Sequence, residues 1–232
     1  MRYRAITFDM GYTLVWVRPF EDIYLQACRD CGVEASLAAL QVAVDAVWQE
    51  VFQRDAEATF DPTEECDRQW WHDTSLAILK LAGIKKGAGC IAQRFSAILD
   101  EPQSYKVYPD AFPALSRLRQ EGYILGVVSN WGWSLPETCV SLGLAPYFDF
   151  ILASSRAGNA KPHPGIFLKA LELAGVSAEQ AMHVGDSLWA DVQGANAVGI
   201  QGVLLDRSGA GHSEYPVIRD LGEIFKLLGT EG

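Results

Sequence analysis

After Pro109 the chain alternates between helical and extended patterning, and that alternation limits its fold more than any other feature. Helical spacing over DAFPALSRLRQEG is followed by the β-prone run YILGVVS, LPETCVSLG by FDFILAS, PGIFLKALELAG by AMHVG, and SLWADVQGANAVG by QGVLL, with LGEIFKLLG as a closing helix. The β-prone runs are nearly continuous in apolar residues, which predicts a parallel sheet covered by helices on both faces, an α/β architecture. An earlier run, YRAITF at residues 3–8, has the same character and ends in Asp9 and a Gly-Tyr-Thr turn. Ligands of open parallel sheets sit beyond the carboxyl ends of the strands, so the residues that follow each run are the candidates for function.

From about residue 20 to residue 100 the period is helical throughout. EDIYLQACRDCG, SLAALQVAVDAVWQEVFQRDA, TEECDRQWWHDTSLAILKLAG and AGCIAQRFSAILD are separated by Gly, Pro or polar breaks. The expected division is therefore residues 1–17 with 105–232 as the α/β core and 18–104 as an all-helical insertion. The chain would cross between them near residues 14–19 and 101–108, and both crossings contain proline.

A hydrophobic share of 49% in 232 residues is enough for a large core. The formal charge of -10, from 19 basic and 29 acidic residues without a Lys/Arg cluster, would repel a phosphate backbone and excludes nucleic acid as an expected partner. Met1 is followed only by a short apolar run, and no apolar stretch of ~18 residues occurs, so neither export nor membrane insertion is expected, and the expected location is cytoplasmic. The five cysteines are then expected as reduced thiols. Cys28 and Cys31 form a Cys-x-x-Cys within a helical pattern, with no second such pair to complete a zinc site.

The strand ends carry chemistry. The first run delivers Asp9, VVSN delivers Ser129 and Asn130, AKPHP carries Lys161, and HVGDSLWAD supplies Asp186 with Asp191 five residues on. A carboxylate nucleophile, a hydroxyl, a lysine and a carboxylate able to hold a hard cation are the parts that phosphoryl transfer needs, because its catalysis is mostly positioning and charge neutralisation. His72, His163, His183 and His212 show no ligand spacing and are read as structural. Trp16, Trp131, Trp133 and Trp189 stand beside the motifs, where they either wall a substrate pocket or pack the helical insertion against the core.

These four segments, in this order and spacing, resemble the motifs of the haloacid dehalogenase-like hydrolases, and the likeness covers the whole chain. The resemblance implies a Rossmann-like core with the helical insertion as a cap domain that sets specificity, and hydrolysis of a small phosphorylated metabolite with Mg2+. Asp9 would attack phosphorus. Asp9, the carbonyl of Gly11 and Asp186 would hold magnesium, with Asp191 completing that site or fixing Lys161. Thr13, Ser129, Asn130 and Lys161 would hold the transferring phosphoryl group, Lys161 with a catalytic share. Trp70-Trp71 and LAILKLAGI resemble one dehalogenase-like subgroup.

The family's usual Asp-x-Asp-x-Thr carries at its second Asp the acid-base that protonates the leaving group and later activates water, and here that position is Gly11. Its absence removes a contribution of ~10²–10⁴ in rate. Three readings stay open: a phosphatase for leaving groups that need little protonation or are helped by another residue, a carbon-halogen hydrolase, or a weakly active binding or regulatory protein. Retention of Asp186 and Asp191 favours a cation and hence phosphate. Phosphonate hydrolysis relies on an early cap lysine, which the chain lacks between Asp9 and Leu79.

Overall fold

The computed structural model describes residues 2–209 and 214–229, so His212 lies outside the described residues. Six strands form the main sheet: β1 (Ala5–Phe8), β4 (Ile124–Ser129), β5 (Phe150–Ala153), β6 (Ala181–Gly185), β7 (Gln201–Leu205) and β8 (Val217–Ile218). Their order is β5-β4-β1-β6-β7-β8, with every pairing parallel. The sequence predicts five of these. The edge strand β8 is missing from that reading because two residues beside Pro216 carry no periodicity.

The period-two alternation of side chains divides the core. Ile6 and Phe8 of β1, with Met182 and Val184 of β6, pack under α5 (Ala111–Gln120), α6 (Leu135–Ser141) and α10 (Ile224–Leu228). The opposite face carries Val128 and Leu152 against α8 (Pro164–Ala174) and α9 (Gly194–Ala197). Thr7 and His183 are register partners on β1 and β6, and the His183 ring meets Phe167 of α8 edge-on at 5.3 Å. One short helix that the sequence reading lacks, α7 (Ser154–Ala157), follows β5 directly.

Residues 20–99 form α1 (Phe20–Asp30), α2 (Leu37–Asp55), α3 (Glu64–Leu81) and α4 (Ala88–Leu99), as the periodicity predicts. Ser36 caps α2 and Thr63 caps α3, each accepting from a backbone N–H of the first turn, and Glu64, Glu65 and Asp67 complement the α3 dipole. These helices enclose a separate apolar cluster that includes Ile23, Tyr24, Leu40, Val47, Ile78 and Phe95. The two chain crossings are not loose linkers. β2 (Val15–Val17) and β3 (Tyr105–Val107) pair antiparallel, Val15 opposite Val107 and Val17 opposite Tyr105, so both connections leave the sheet as one ribbon.

The cysteines correct the expectation of five reduced thiols. Cys31, just past α1, is bonded to Cys90 in α4 with a Cα–Cα distance of 6.3 Å, while Cys28, Cys66 and Cys139 are free. Packing of α1 on α4 brings together two residues 59 apart in sequence, a proximity that spacing along one helix cannot reveal.

Candidate active site

Asp9 directly follows β1, and its backbone N–H donates to the Val184 carbonyl at 2.9 Å, which extends the sheet pairing by one residue. Its carboxylate is buried and accepts from Lys161 Nζ at 2.6 Å. The same ammonium donates to Asp191 Oδ1 at 2.5 Å, so one buried lysine bridges two carboxylates. Asp186, after β6, completes a trio whose ligand atoms lie within 4.8 Å of one another. Ser129 at the end of β4 is buried and lines the same cavity as Asp9.

Each charge is set by its surroundings. Burial pushes the Asp9 carboxyl up, opposed by Lys161 and reinforced by repulsion from Asp191. Burial also acts against the charge on Lys161, but Asp191 and Asp9 together hold its ammonium protonated. The Asp191 carboxyl is raised by burial, yet Lys161 and His183 outweigh that and keep it well below the usual carboxylate range. Asp186 has one side open to solvent; desolvation by the cavity wall, then repulsion from Asp9 and Asp191, push it up to about 7.

Asn130, Thr13 and Asp191 are each held by neighbouring groups. Asn130 lines the cavity, its amide oxygen accepting from the Lys161 N–H at 2.7 Å and its amide nitrogen donating to the Lys161 carbonyl at 2.9 Å. It clamps the lysine's backbone. Thr13 is fully buried off the cavity, its hydroxyl has no partner among the described residues, and its carbonyl accepts from Arg207 at 2.9 Å. Asp191 lies in the carboxylate trio, but both its oxygens already accept hydrogen bonds, Oδ1 from Lys161 and His183 and Oδ2 from the Ser187 N–H. A π-helical turn, Leu188–Gln193, aims it inward, and Gly185 leaves the room: a Cβ there would lie 2.1 Å from the Asp191 carboxyl carbon.

His183 is the residue the sequence reading undervalued. It is fully buried, with Nε2 3.0 Å from Asp191 Oδ1 and Nδ1 2.8 Å from the Thr7 hydroxyl. Burial lowers its pKa and leaves the ring neutral. An ionised Asp191 can only accept, so Nε2 carries the proton and Nδ1 accepts from Thr7. The one signal available was a lone polar ring inside the apolar strand AMHVG, immediately before the Gly-Asp motif. His163, by contrast, caps α8 by accepting from the Gly165 N–H, a structural role as expected.

Above this floor opens a cavity of about 690 Å³. Gly11, Trp131 and Trp189 line it, as do Trp48, Trp70 and Trp71 from the helical segment, while Trp16 and Trp133 do not. Trp48, Trp70 and Trp71 also pack on one another within the helical segment, with Trp48 and Trp71 against Phe20. The Asp67 carboxylate on α3 accepts from the Trp133 N–H at 2.9 Å, and the Phe60 N–H donates to the Gly158 carbonyl at 3.0 Å, so the helical segment contacts the loops that carry Ser129 and Lys161.

A parallel sheet whose strand ends converge on a carboxylate, a hydroxyl, a lysine and further carboxylates defines a class of hydrolase, and comparison with known proteins agrees. The family model described as haloacid dehalogenase-like hydrolase matches residues 3–199. The chain belongs to that family. It is 32% identical over 224 residues to the human haloacid dehalogenase-like hydrolase domain-containing protein 3, covering 95% of this chain and 87% of that one. Over 133 residues it is 35% identical to a glyceraldehyde 3-phosphate phosphatase of Methanopyrus kandleri, 56% of this chain and 57% of that one. The crystal structure of a phosphatase of this family from Thermococcus onnurineus superposes with a TM-score of 0.67 at 28% identity, covering 98% of this chain and 99% of that one. Among the described residues, no helix is long and apolar enough to cross a membrane.

Proposed function

We propose that the chain hydrolyses a small phosphorylated metabolite with the help of Mg2+, through a phosphoryl group carried on Asp9, the helices α1–α4 serving as a cap over the site. The observation that carries this reading is the buried array of Asp9, Lys161 and Asp191 with Asp186 at its rim. Three carboxylates crowded around one lysine leave excess negative charge, and repulsion from Asp9 and Asp191 adds to the desolvation that pushes the Asp186 carboxyl up. An all-oxygen donor set with one rim carboxylate open to solvent suits a hard divalent cation that keeps part of its water. Asp9, Asp186 and the Gly11 carbonyl would hold the ion, which would supply charge neutralisation for the phosphoryl oxygens.

Asp9 attacks phosphorus with the oxygen that Lys161 does not hold, the bond to the alcohol oxygen breaks, and water later releases phosphate from Asp9. Lys161 and Ser129 bind the transferring oxygens. Asp191 keeps Lys161 oriented, and Asn130 fixes its backbone. Gly11 supplies no proton, so leaving groups that need none depart fastest.

The test is a panel of phosphate esters, acyl phosphates and haloacids, assayed with magnesium and with EDTA. The expected result is release of phosphate that stops in EDTA and is lost in Asp9→Asn. Haloacid turnover that persists in EDTA would replace this reading with the carbon-halogen one.

A further inference from the structure

We propose that the wall of the cavity above Asp9 selects phosphate esters whose alcohol carries a cationic nitrogen, a protonated amine or a quaternary ammonium; the inference rests on the hydrolytic reading above and names its substrate class. Beyond the catalytic floor the cavity is lined by Glu21, Asp45, Asp55, Asp61 and Asp67. Lys161 is the only cationic side chain among the lining residues, and its charge is already shared between Asp9 and Asp191. Asp55 pairs with Arg54, while Glu21, Asp45, Asp61 and Asp67 make no ion pair among the described residues. The upper cavity is therefore electronegative.

The same wall is aromatic. Trp48, Trp70, Trp71 and Phe52 line it, with neighbouring ring centroids 5.1 to 5.9 Å apart.

These features sort leaving groups by charge. A second carboxylate or phosphate on the substrate would meet uncompensated acids at the wall and be repelled. A neutral sugar would gain from the rings alone. A cationic nitrogen gains from both the ring faces and the carboxylates, in a recess where water screens less than on an open surface. A cation two carbons from the ester oxygen also stabilises the departing alkoxide, which fits a site where Gly11 offers no proton.

The experiment uses the full chain and reads tryptophan fluorescence during titration with choline and with its uncharged carbon isostere, 3,3-dimethylbutan-1-ol. Choline is expected to bind about tenfold more tightly, with a gap that narrows as salt rises. Asp45→Asn and Asp61→Asn, at exposed positions outside the floor, should each narrow the gap, together by about threefold. Equal or weaker binding of choline overturns the proposal. Choline phosphate and 3,3-dimethylbutyl phosphate are then compared as substrates with magnesium. Preference for choline without hydrolysis of either ester would keep the cation site and sink the hydrolytic reading. Hydrolysis of both at equal kcat/KM, with no preference for choline, would do the reverse.

Discussion

The neutral ring of His183 donates from Nε2 to Asp191 Oδ1 at 3.0 Å, and that same oxygen receives the Lys161 ammonium. His183 thus holds the carboxylate that holds the lysine that holds Asp9, while Thr7 holds His183 from behind. Groups that orient such a site from one layer back are typically worth about 10–100-fold in activity or metal affinity. His183→Ala is expected to lower kcat by about that factor with KM little changed, because the lost donor frees Asp191 and Lys161 to turn without touching the substrate. His183→Gln keeps an N–H donor at a comparable reach and should recover most of the loss. Equal damage from Ala and Gln, tracking loss of thermal stability, would reduce His183 to a packing residue.

With Asp186 as a proposed ligand, metal affinity is expected to depend on pH. Its carboxyl is pushed up to about 7, so at pH 6 it is mostly protonated in the metal-free protein and must lose that proton to bind a cation. Magnesium affinity should rise with pH through 7 and level off above it, falling by up to about tenfold per unit on the acid side. The effect on stability has the opposite sign. A carboxyl whose folded pKa lies above its unfolded value favours the fold while protonated, and that contribution is lost as pH rises from the ordinary carboxylate range through 7. Added magnesium should therefore raise Tm more at pH 8 than at pH 6. Equal shifts at the two pH values would remove Asp186 from the binding step.

The Cys31–Cys90 bond ties α1 to α4 across a separation of 59 residues. Closing a loop of that order contributes about 4 kcal/mol in the chain-entropy picture, with observed values commonly 2–4. Unfolded, non-reduced protein should titrate three thiols rather than five. Cys31→Ser should lower the stability of the helical segment by about 2–4 kcal/mol, seen as faster hydrogen exchange in α1 and α4 than in β1 or β6. Five titratable thiols in the oxidised protein would return the cysteines to the reduced state that the sequence reading expected.

What the sequence revealed and what it hid follow from physical range. Apolar periodicity is local, so four insertion helices and five of six sheet strands were legible, whereas β8 and the β2–β3 ribbon depend on partners far along the chain. Asp9, Ser129, Lys161 and Asp186 were found because each sits at the end of its own strand or loop, where chain position alone brings it to the site. Contacts made across the chain were not legible in this way: the Asn130 amide meets the Lys161 backbone, and Arg207 donates to the Thr13 carbonyl. His183 was hidden for the same reason, since its partner Thr7 is 176 residues away and Asp191 reaches it only through the π-helical turn.

Gly11 offers the sharpest test of the chemistry. Its φ lies outside the left-handed region, unlike that of its neighbour Tyr12 at 55°, so a side chain brings no backbone strain. A Cβ built there would meet Val17 Cγ2 at 3.6 Å and Trp131 Cζ3 at 3.7 Å, both ordinary contacts. Because Gly11 lines the cavity with Asp9, a carboxyl at this position would have access to both the leaving oxygen and the attacking water. The two steps do not need it equally. An acyl phosphate departs without a proton, yet water attacking the phosphorylated Asp9 still benefits from a base, so the wild-type phosphoenzyme should accumulate during turnover. Gly11→Asp is expected to raise turnover of simple phosphate monoesters by about tenfold or more, the low end of general acid-base contributions, and to shorten the phosphoenzyme lifetime. Acid-quenched phosphoenzyme and steady-state rates, measured for both variants at saturating magnesium, read the two effects separately. A variant that folds and binds magnesium normally but gains no monoesterase activity would mean that another residue already moves that proton. Asp67 is then the first to substitute: it lines the cavity from α3, and burial pushes its carboxyl up.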